Sequence, residues 1–102
     1  MPRLNGDPGG TRPARVQFIL GRLVITRGAL AALNAGDVVL ALDRHATGDW
    51  GDLCPEDREA NERALREGGR LFSVYRTRDD VKFYVVTEHD RSLTTVLLPE
   101  DY

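Results

Sequence analysis

The chain has little of several features, and each scarcity argues against a class of protein. Its 102 residues include a single cysteine, Cys54, so no disulfide can form within the chain. No apolar run approaches the roughly 18 residues that a membrane-spanning helix requires. The formal net charge is only −2, which gives no general signature of nucleic-acid binding. We therefore expect a cytoplasmic protein that does not associate with membranes.

The rest of the composition is typical of a globular protein. Hydrophobic residues make up 41% of the chain and charged residues 29%, and 102 residues are enough for one core. Residues 1–15 hold several prolines and glycines but almost no apolar side chain, which predicts a flexible tail. The tail is either an arm that binds nucleic acid or a partner, or a frayed extension, and we favour the extension. Residues 16–102 are predicted to form a single α+β domain.

A short strand and a helix are predicted at the start of this domain. Arg22–Ile25 is rich in apolar and β-branched residues, which favours a strand. The threonine that follows can cap a helix over residues 27–34 by accepting a backbone N–H of its first turn. We expect Leu30 and Leu33 to face inward and Gly36 to end the helix.

Residues 37–42, which follow, fit either a strand or a helix. Their run of valine, leucine and alanine is typical of a buried strand. Asp37 is equally a good N-cap, and Val38, Leu42 and His45 would share one face of a helix. We favour the helix.

Another helix is predicted from Pro55, because proline suits the first helical turn, where its missing N–H costs nothing. Gly68 would end this helix, and its thin inner face would consist of Ala60, Ala64 and Leu65, with Asn61 beside them. Beyond it, residues 71–77, 81–87 and 93–98 are rich in Val, Tyr, Phe and Thr and are separated by short connections. The predicted fold class is therefore α+β, with a short N-terminal strand, two or three helices and a three-stranded antiparallel meander.

Polar side chains are concentrated in two segments, residues 45–53 and 87–95. The first holds His45 beside Asp49 and Asp52, which could orient or charge-pair the imidazole. In a functional role, His45 would act as a general base or a metal ligand. In a structural role, it would cap a helix. Trp50 lies between two glycines, where it either fills the core or stands exposed as a contact residue. We favour the core position.

The second segment places Asp90, Arg91 and Ser92 in a hairpin connection, where binding residues are common. Arg91 or Asp90 could reach across to the first segment, and an Arg–carboxylate pair would lock the two together. His45, Asp49, His89 and Asp90 include ligand types that suit zinc or manganese, but no diagnostic metal-ligand spacing is present. We assign binding roles to seven residues, and no catalytic, metal-binding or cofactor-binding role to any: His45, Asp49, Trp50, Asp52, Asp90, Arg91 and Ser92.

These segments resemble the motifs of a family of small bacterial proteins often found with plasmids and other mobile elements. The first block reads R-H-x-x-G-D-W-G-D-L from Arg44, and the last reads T-E-x-D-R-S-x-T-T-x-L-L-P-E-x-Y from Thr87. Between them lie Asn61 and the S-x-Y of Ser73 and Tyr75. The resemblance covers residues 23–102 and implies a helix before the first block. The family has no established activity, so the resemblance implies no reaction.

We predict a non-enzymatic protein-interaction or regulatory module, an accessory protein of a mobile genetic element that contacts an unidentified protein. The alternative is a small metal-dependent hydrolase that uses His45, Asp49 and Asp90. A third interpretation is a purely structural polar network in a domain whose function lies elsewhere. An exposed strand edge in so short a sheet would also support a homodimer.

Overall fold

The computed structural model describes residues 15–102, so the predicted tail lies outside the described residues except for Arg15. Within this range the chain forms a strand, three helices, three further strands and a closing 3-10 turn. The elements are β1 (Arg22–Ile25), α1 (Arg27–Ala32), α2 (Ala35–Ala46), α3 (Pro55–Glu67), β2 (Leu71–Arg76), β3 (Lys82–Thr87), β4 (Leu93–Leu97) and the turn Pro99–Asp101. The predicted α+β class is confirmed.

The four strands form one mixed sheet in the order β1-β4-β3-β2. Strands β2, β3 and β4 are the predicted antiparallel meander, with Leu71 opposite Thr87 and Thr87 opposite Thr94. Strand β1 pairs in parallel with β4, and Leu23 lies opposite Thr94. The strand itself was predicted from the sequence, but its place beside β4 depends on the return of the chain after three helices.

Of the two leucines predicted to face inward at helix α1, Leu33 is buried and Leu30 is not. Thr26 caps it, and its hydroxyl accepts the backbone N–H of Ala29 at 3.2 Å. Ala29 is fully buried and Leu33 is nearly so, whereas Leu30 is 65% exposed. The prediction that Leu30 faces inward is wrong, because positions 29 and 33 are four apart and already form the inner stripe of this short helix.

Helix α2 confirms the helical interpretation of the ambiguous stretch, with an earlier start. Asn34 is the N-cap, and its side-chain oxygen accepts the backbone N–H of Asp37 at 2.9 Å. Gly36 therefore lies inside α2 and does not end α1, and Asp37 is not the cap. Ala41 and His45, four residues apart, are buried on the inner face of α2.

Helix α3 begins at Pro55, and Gly68 follows its last residue with a φ of 86°, as the sequence predicts. Its inner face differs from the prediction. Asn61 is the buried residue of this helix, while Ala60 is exposed and Ala64 is half-buried. Helix α3 therefore meets the sheet through a polar contact at Asn61.

The inner face of the sheet holds the hydrophobic core. The core residues are Ala29, Leu33, Ala41, Tyr75, Phe83, Val85, Val96 and Leu98. Because side chains alternate between faces along a strand, Ser73, Thr87 and Thr94 share this inner face with them. The buried face therefore has an apolar end and a polar end. Among residues 15–102, no helix has both the length and the apolar character needed to cross a membrane.

Candidate functional site

A chain of hydrogen bonds lies buried at the polar end of the sheet. His45 Nδ1 is 2.6 Å from Ser73 Oγ on β2, and His45 Nε2 is 2.9 Å from Thr87 Oγ1 on β3. Thr87 Oγ1 is in turn 2.7 Å from Thr94 Oγ1 on β4, whose hydroxyl donates to the Leu20 carbonyl at 2.6 Å. The four side chains are completely buried. This hydrogen-bond chain ties α2 to three strands and to the segment before β1.

The Leu20 carbonyl at the end of this hydrogen-bond chain fixes which group donates in each of its hydrogen bonds. The Leu20 oxygen can only accept, so the single hydroxyl proton of Thr94 is donated to it. Thr87 must then donate to Thr94, and the Nε2–H of His45 must donate to Thr87. Ser73 is left to donate to the unprotonated Nδ1. Both ring nitrogens are thus satisfied when the imidazole is neutral.

The surroundings favour this neutral form of His45. The pKa of His45 is lowered from 6.5 to about 4, mainly because the buried charged ring would lose its hydration and secondly because of the nearby Arg91 guanidinium. A second ring proton on Nδ1 would also face the hydroxyl proton that Ser73 donates. Since Ser73 and His45 are both completely buried, their short contact holds the fold together and is not open to a substrate.

Trp50 covers the imidazole. Its ring is 2% exposed and meets His45 edge-on, with the ring centroids 5.8 Å apart. Phe18 stacks on Trp50 at 6.2 Å and meets His45 at 5.2 Å. The indole N–H donates to Glu62 Oε2 at 2.7 Å, which supplies the partner that a buried tryptophan needs. Trp50 therefore fills the core.

The turn around Trp50 also pairs with the outer edge of β2. The Val74 N–H donates to the Trp50 carbonyl at 3.1 Å, and the Asp52 N–H donates to the Val74 carbonyl at 2.8 Å. Gly51 lies between them with a φ of 78°, and a Cβ there would collide with the Val74 carbonyl oxygen. Only glycine therefore fits this close approach of two backbones.

Asn61 closes the next position of the same edge. Its Nδ2 donates to the Phe72 carbonyl at 2.8 Å, and its Oδ1 accepts the Phe72 N–H at 3.2 Å. The side-chain amide thus imitates a neighbouring strand. Together with the turn, it occupies the outward backbone groups of β2 at Phe72 and Val74.

The two aspartates of the first segment each hold an arginine. Arg44 forms a two-point contact with Asp49, with Nε 2.8 Å and Nη2 3.1 Å from its carboxylate oxygens. The hydrogen bond from Arg44 is the main reason that the pKa of Asp49 is lowered. Arg76 Nε lies 3.4 Å from Asp52, and Arg76 Nη1 donates to Asp80 at 3.1 Å. Arg44 also stacks over the Tyr75 ring at 4.8 Å. These arginine side chains are thus held in defined positions.

Both arginines line a groove of about 280 Å³ between α2 and the β2–β3 hairpin. Its apolar lining includes Leu40, Ala41, Tyr75 and Phe83, and its charged lining consists of Arg44, Arg76, Arg78 and Asp37. Leu40, at the border of this groove, is 64% exposed. Sequence reasoning missed this groove, because its arginines come from three different elements or loops.

Within the second segment, the side chain of Arg91 binds α3 and the turn after it, and not the first segment. Arg91 Nη2 donates to the Ala64 carbonyl at 3.0 Å, and Nη1 donates to the Gly69 carbonyl at 2.6 Å. Asp90 Oδ1 accepts the backbone N–H and the hydroxyl of Ser92 at 3.1 and 2.6 Å. The expected ion pair between Arg91 and the first segment is absent among the described contacts. The two segments are linked through the buried chain, from His45 to Thr87.

The three residues of the hydrolase hypothesis have separate partners. Both ring nitrogens of His45 are bonded, Asp49 pairs with Arg44, and Asp90 bonds within its own loop. Within residues 15–102, no group of three or more His, Cys, Asp or Glu side chains is arranged to hold a metal ion. The structure does not bring these three side chains together as a site.

The partners of His45 were present in the sequence but were not singled out. Ser73, Thr87 and Thr94 are small hydroxyl residues at inward positions of three consecutive strands. Their positions in the alternating pattern of the strands indicate that they face inward. A hydroxyl on an inner face needs a buried hydrogen-bond partner, which His45 supplies to Ser73 and Thr87. Phe18 carried no such signal.

Comparisons with known proteins add no relative to this description. No protein-family model, curated protein or solved structure matches the chain.

Proposed function

We propose that this chain is a non-enzymatic protein-interaction module whose contact surface is the groove between α2 and the β2–β3 hairpin. The observation that carries the proposal is the exposed apolar Leu40 beside arginines that aspartates already hold in place. Protein interfaces commonly combine an apolar centre with arginine and tyrosine side chains. The partner would insert an apolar side chain beside Leu40 and offer carboxylates to the arginines.

The fixed arginines support binding for a physical reason. Association is costly when long side chains lose their freedom on contact. Arg44 is already held by Asp49 and by the Tyr75 ring, so much of its freedom is lost before a partner arrives. Two of its guanidinium donors are used on Asp49, and the group has five. Donors therefore remain for a carboxylate of the partner.

The predicted binding residues divide into two groups under this proposal. Asp49 and Asp52 act at the groove by holding Arg44 and Arg76. His45, Trp50, Asp90, Arg91 and Ser92 serve the fold, through the contacts described above. The role in a mobile element rests on the sequence resemblance alone, and we extend the proposal to it on that basis.

The test compares two leucines of equal exposure. Leu40 is 64% and Leu30 is 65% exposed, and both lie on helices. Tagged full-length wild type, Leu40→Asp and Leu30→Asp would be incubated with nuclease-treated lysate of the native host. We expect one protein to be retained by wild type and Leu30→Asp but lost with Leu40→Asp, because an added carboxylate repels the partner and cannot enter an apolar contact.

The retained protein is then purified and its affinity for the three chains is measured by calorimetry. A weakening of tenfold or more for Leu40→Asp alone supports the groove. Equal affinity for Leu40→Asp and wild type, or no specific partner for any chain, would overturn the proposal. Circular dichroism of each variant confirms that the chain remains folded.

A further inference from the structure

The two edges of the sheet differ in whether other residues of the chain bond to their outward backbone groups. At the β2 edge, the backbone of Trp50 and Asp52 and the side chain of Asn61 occupy the outward backbone groups of the strand. At the β1 edge, no strand among the described residues pairs on the outer side. An uncovered edge is a template for another strand.

The hydrogen bonds of β1 show which backbone groups are free to pair. The N–H of Arg22 donates to the Ser92 carbonyl, and the N–H of Thr26 donates to the Val96 carbonyl. In a parallel ladder alternate residues face the partner strand, so Arg22, Val24 and Thr26 point toward β4. The N–H and C=O groups of Leu23 and Ile25 therefore point away from the sheet.

The side chains at this edge are also apolar and accessible. Leu23 is 53% exposed and Val24 is 39% exposed. They lie on opposite faces of the strand, because side chains alternate along it. The edge has no proline and no cover from residues 15–102, two of the ways in which proteins block such an edge, and Arg22 is the one charged residue of the strand.

We propose that β1 pairs in antiparallel orientation with β1 of a second copy of this chain, which joins two four-stranded sheets into one. The two-fold axis passes beside Val24, so that Val24 faces its own copy. Leu23 of each chain then lies opposite Ile25 of the other, and these two residue pairs exchange four backbone hydrogen bonds. The outward groups of β1 are all used in this register.

A second copy fits because the register places no charged residue of β1 opposite its own copy. Isologous contacts bring the same surface of each chain together, so a charge near the axis would meet its own copy. Here the axis position is valine, and Arg22 falls opposite Thr26 of the other chain. Apolar cross-strand pairs form on both faces, Val24 with Val24 on one and Leu23 with Ile25 on the other.

The first test uses the residue at the axis. We expect full-length wild type to show a concentration-dependent doubling of mass in analytical ultracentrifugation. Val24→Lys and Val24→Glu should each be monomeric, because like charges would face each other across the axis. An equal mixture of the two variants should regain the dimer, because lysine then meets glutamate. Val39→Lys places the same charge on an exposed valine of α2 and should leave the dimer intact.

The second test traps the register covalently. Residues opposite each other at a non-hydrogen-bonded position have Cα atoms about 4.5 Å apart, within the range of a disulfide. In a Cys54→Ser background, Val24→Cys should form a disulfide-linked dimer under mild oxidation, whereas Val39→Cys should not. A monomer at every concentration, a dimer that survives both charge variants, or equal cross-linking at both positions would overturn the proposal.

Discussion

The two ends of the inner sheet face bury side chains of opposite character. At the apolar end, Phe83 and Val96 lie in one cluster with residues of α1 and α2, and their side chains have no donor or acceptor that would direct the packing. At the polar end, His45 and three hydroxyls are equally buried but are held by hydrogen bonds with fixed donors and acceptors. Apolar packing tolerates a change of shape if volume is kept, whereas a buried polar group without its partner is costly. The polar end therefore specifies one arrangement of α2 over the sheet.

The buried hydrogen-bond chain also accounts for the positions of several polar residues in the two polar segments of the sequence. The first segment supplies His45 and Trp50, which covers it. The second segment begins with Thr87, whose hydroxyl accepts a hydrogen bond from His45 Nε2. A fully satisfied polar network makes a core rigid and unique. The concentration of polar residues in these segments is accounted for by this network and by the arginine contacts at the groove.

The largest expected effect comes from removing the centre of the polar end. His45→Ala should lower the free energy of unfolding by about 3–5 kcal/mol, since it leaves a cavity and unpaired hydroxyls at Ser73 and Thr87. Urea unfolding followed by tryptophan fluorescence measures this loss.

A double-mutant cycle separates the polar end from the apolar end. Ser73→Ala should cost about 1–3 kcal/mol in wild type, because Nδ1 of His45 loses its donor, and much less in His45→Ala. With Leu33→Ala at the apolar end, the cost of Ser73→Ala should instead be simply additive. Equal additivity in both backgrounds would contradict the hydrogen-bond chain.

The third expected effect is a pH dependence confined to the polar end. The pKa of His45 is about 4 in the folded chain and 6.5 as its ordinary value, so the unfolded chain binds more protons between these pH values. The contribution of the neutral His45 to the free energy of unfolding is fully present above pH 6.5 and falls as the pH drops toward 4. The expected loss over this range is about 3 kcal/mol.

The measurement is a series of urea unfolding curves from pH 7 to pH 4, with matched histidine variants. His45→Gln should lose this component of the pH dependence, and His89→Gln should keep it, because His89 is exposed. The carboxylates are the same in all three chains, so the difference between them isolates His45. An unchanged slope in His45→Gln would show that the imidazole is not kept neutral by burial.

The last expected effect concerns the turn that covers the polar end. Gly51 and Gly68 have φ values of 78° and 86°, but a Cβ at Gly51 meets the Val74 carbonyl, while one at Gly68 meets nothing within 4 Å. Both alanine variants are destabilised by the strain of a positive φ. Gly51→Ala should therefore cost about 1–3 kcal/mol more than Gly68→Ala in thermal unfolding, because of the collision alone. Equal costs would mean that the turn moves away from β2 easily.

Much of the secondary structure could be predicted because it depends on neighbours in the chain. Arg22–Ile25, the helix that starts at Pro55 and the three strands of the meander were set by β-branched residues, proline, glycine and short connections. Errors arose where two local signals competed. Asn34 and Asp37 are both good caps, and the earlier one began the helix, which moved Gly36 into α2.

The sequence by itself determined the α+β class, the meander and the presence of two polar segments, because these depend on residue type and spacing along a few turns or strand lengths. Only the tertiary structure decided that β1 lies beside β4, that His45 bonds to Ser73 and Thr87, and that Arg44 and Arg76 meet at one groove. The physical reason is that a hydrogen bond or an ion pair needs two groups within about 3–4 Å. Residues 28 or 42 positions apart in the chain reach that distance only when helix and sheet pack together.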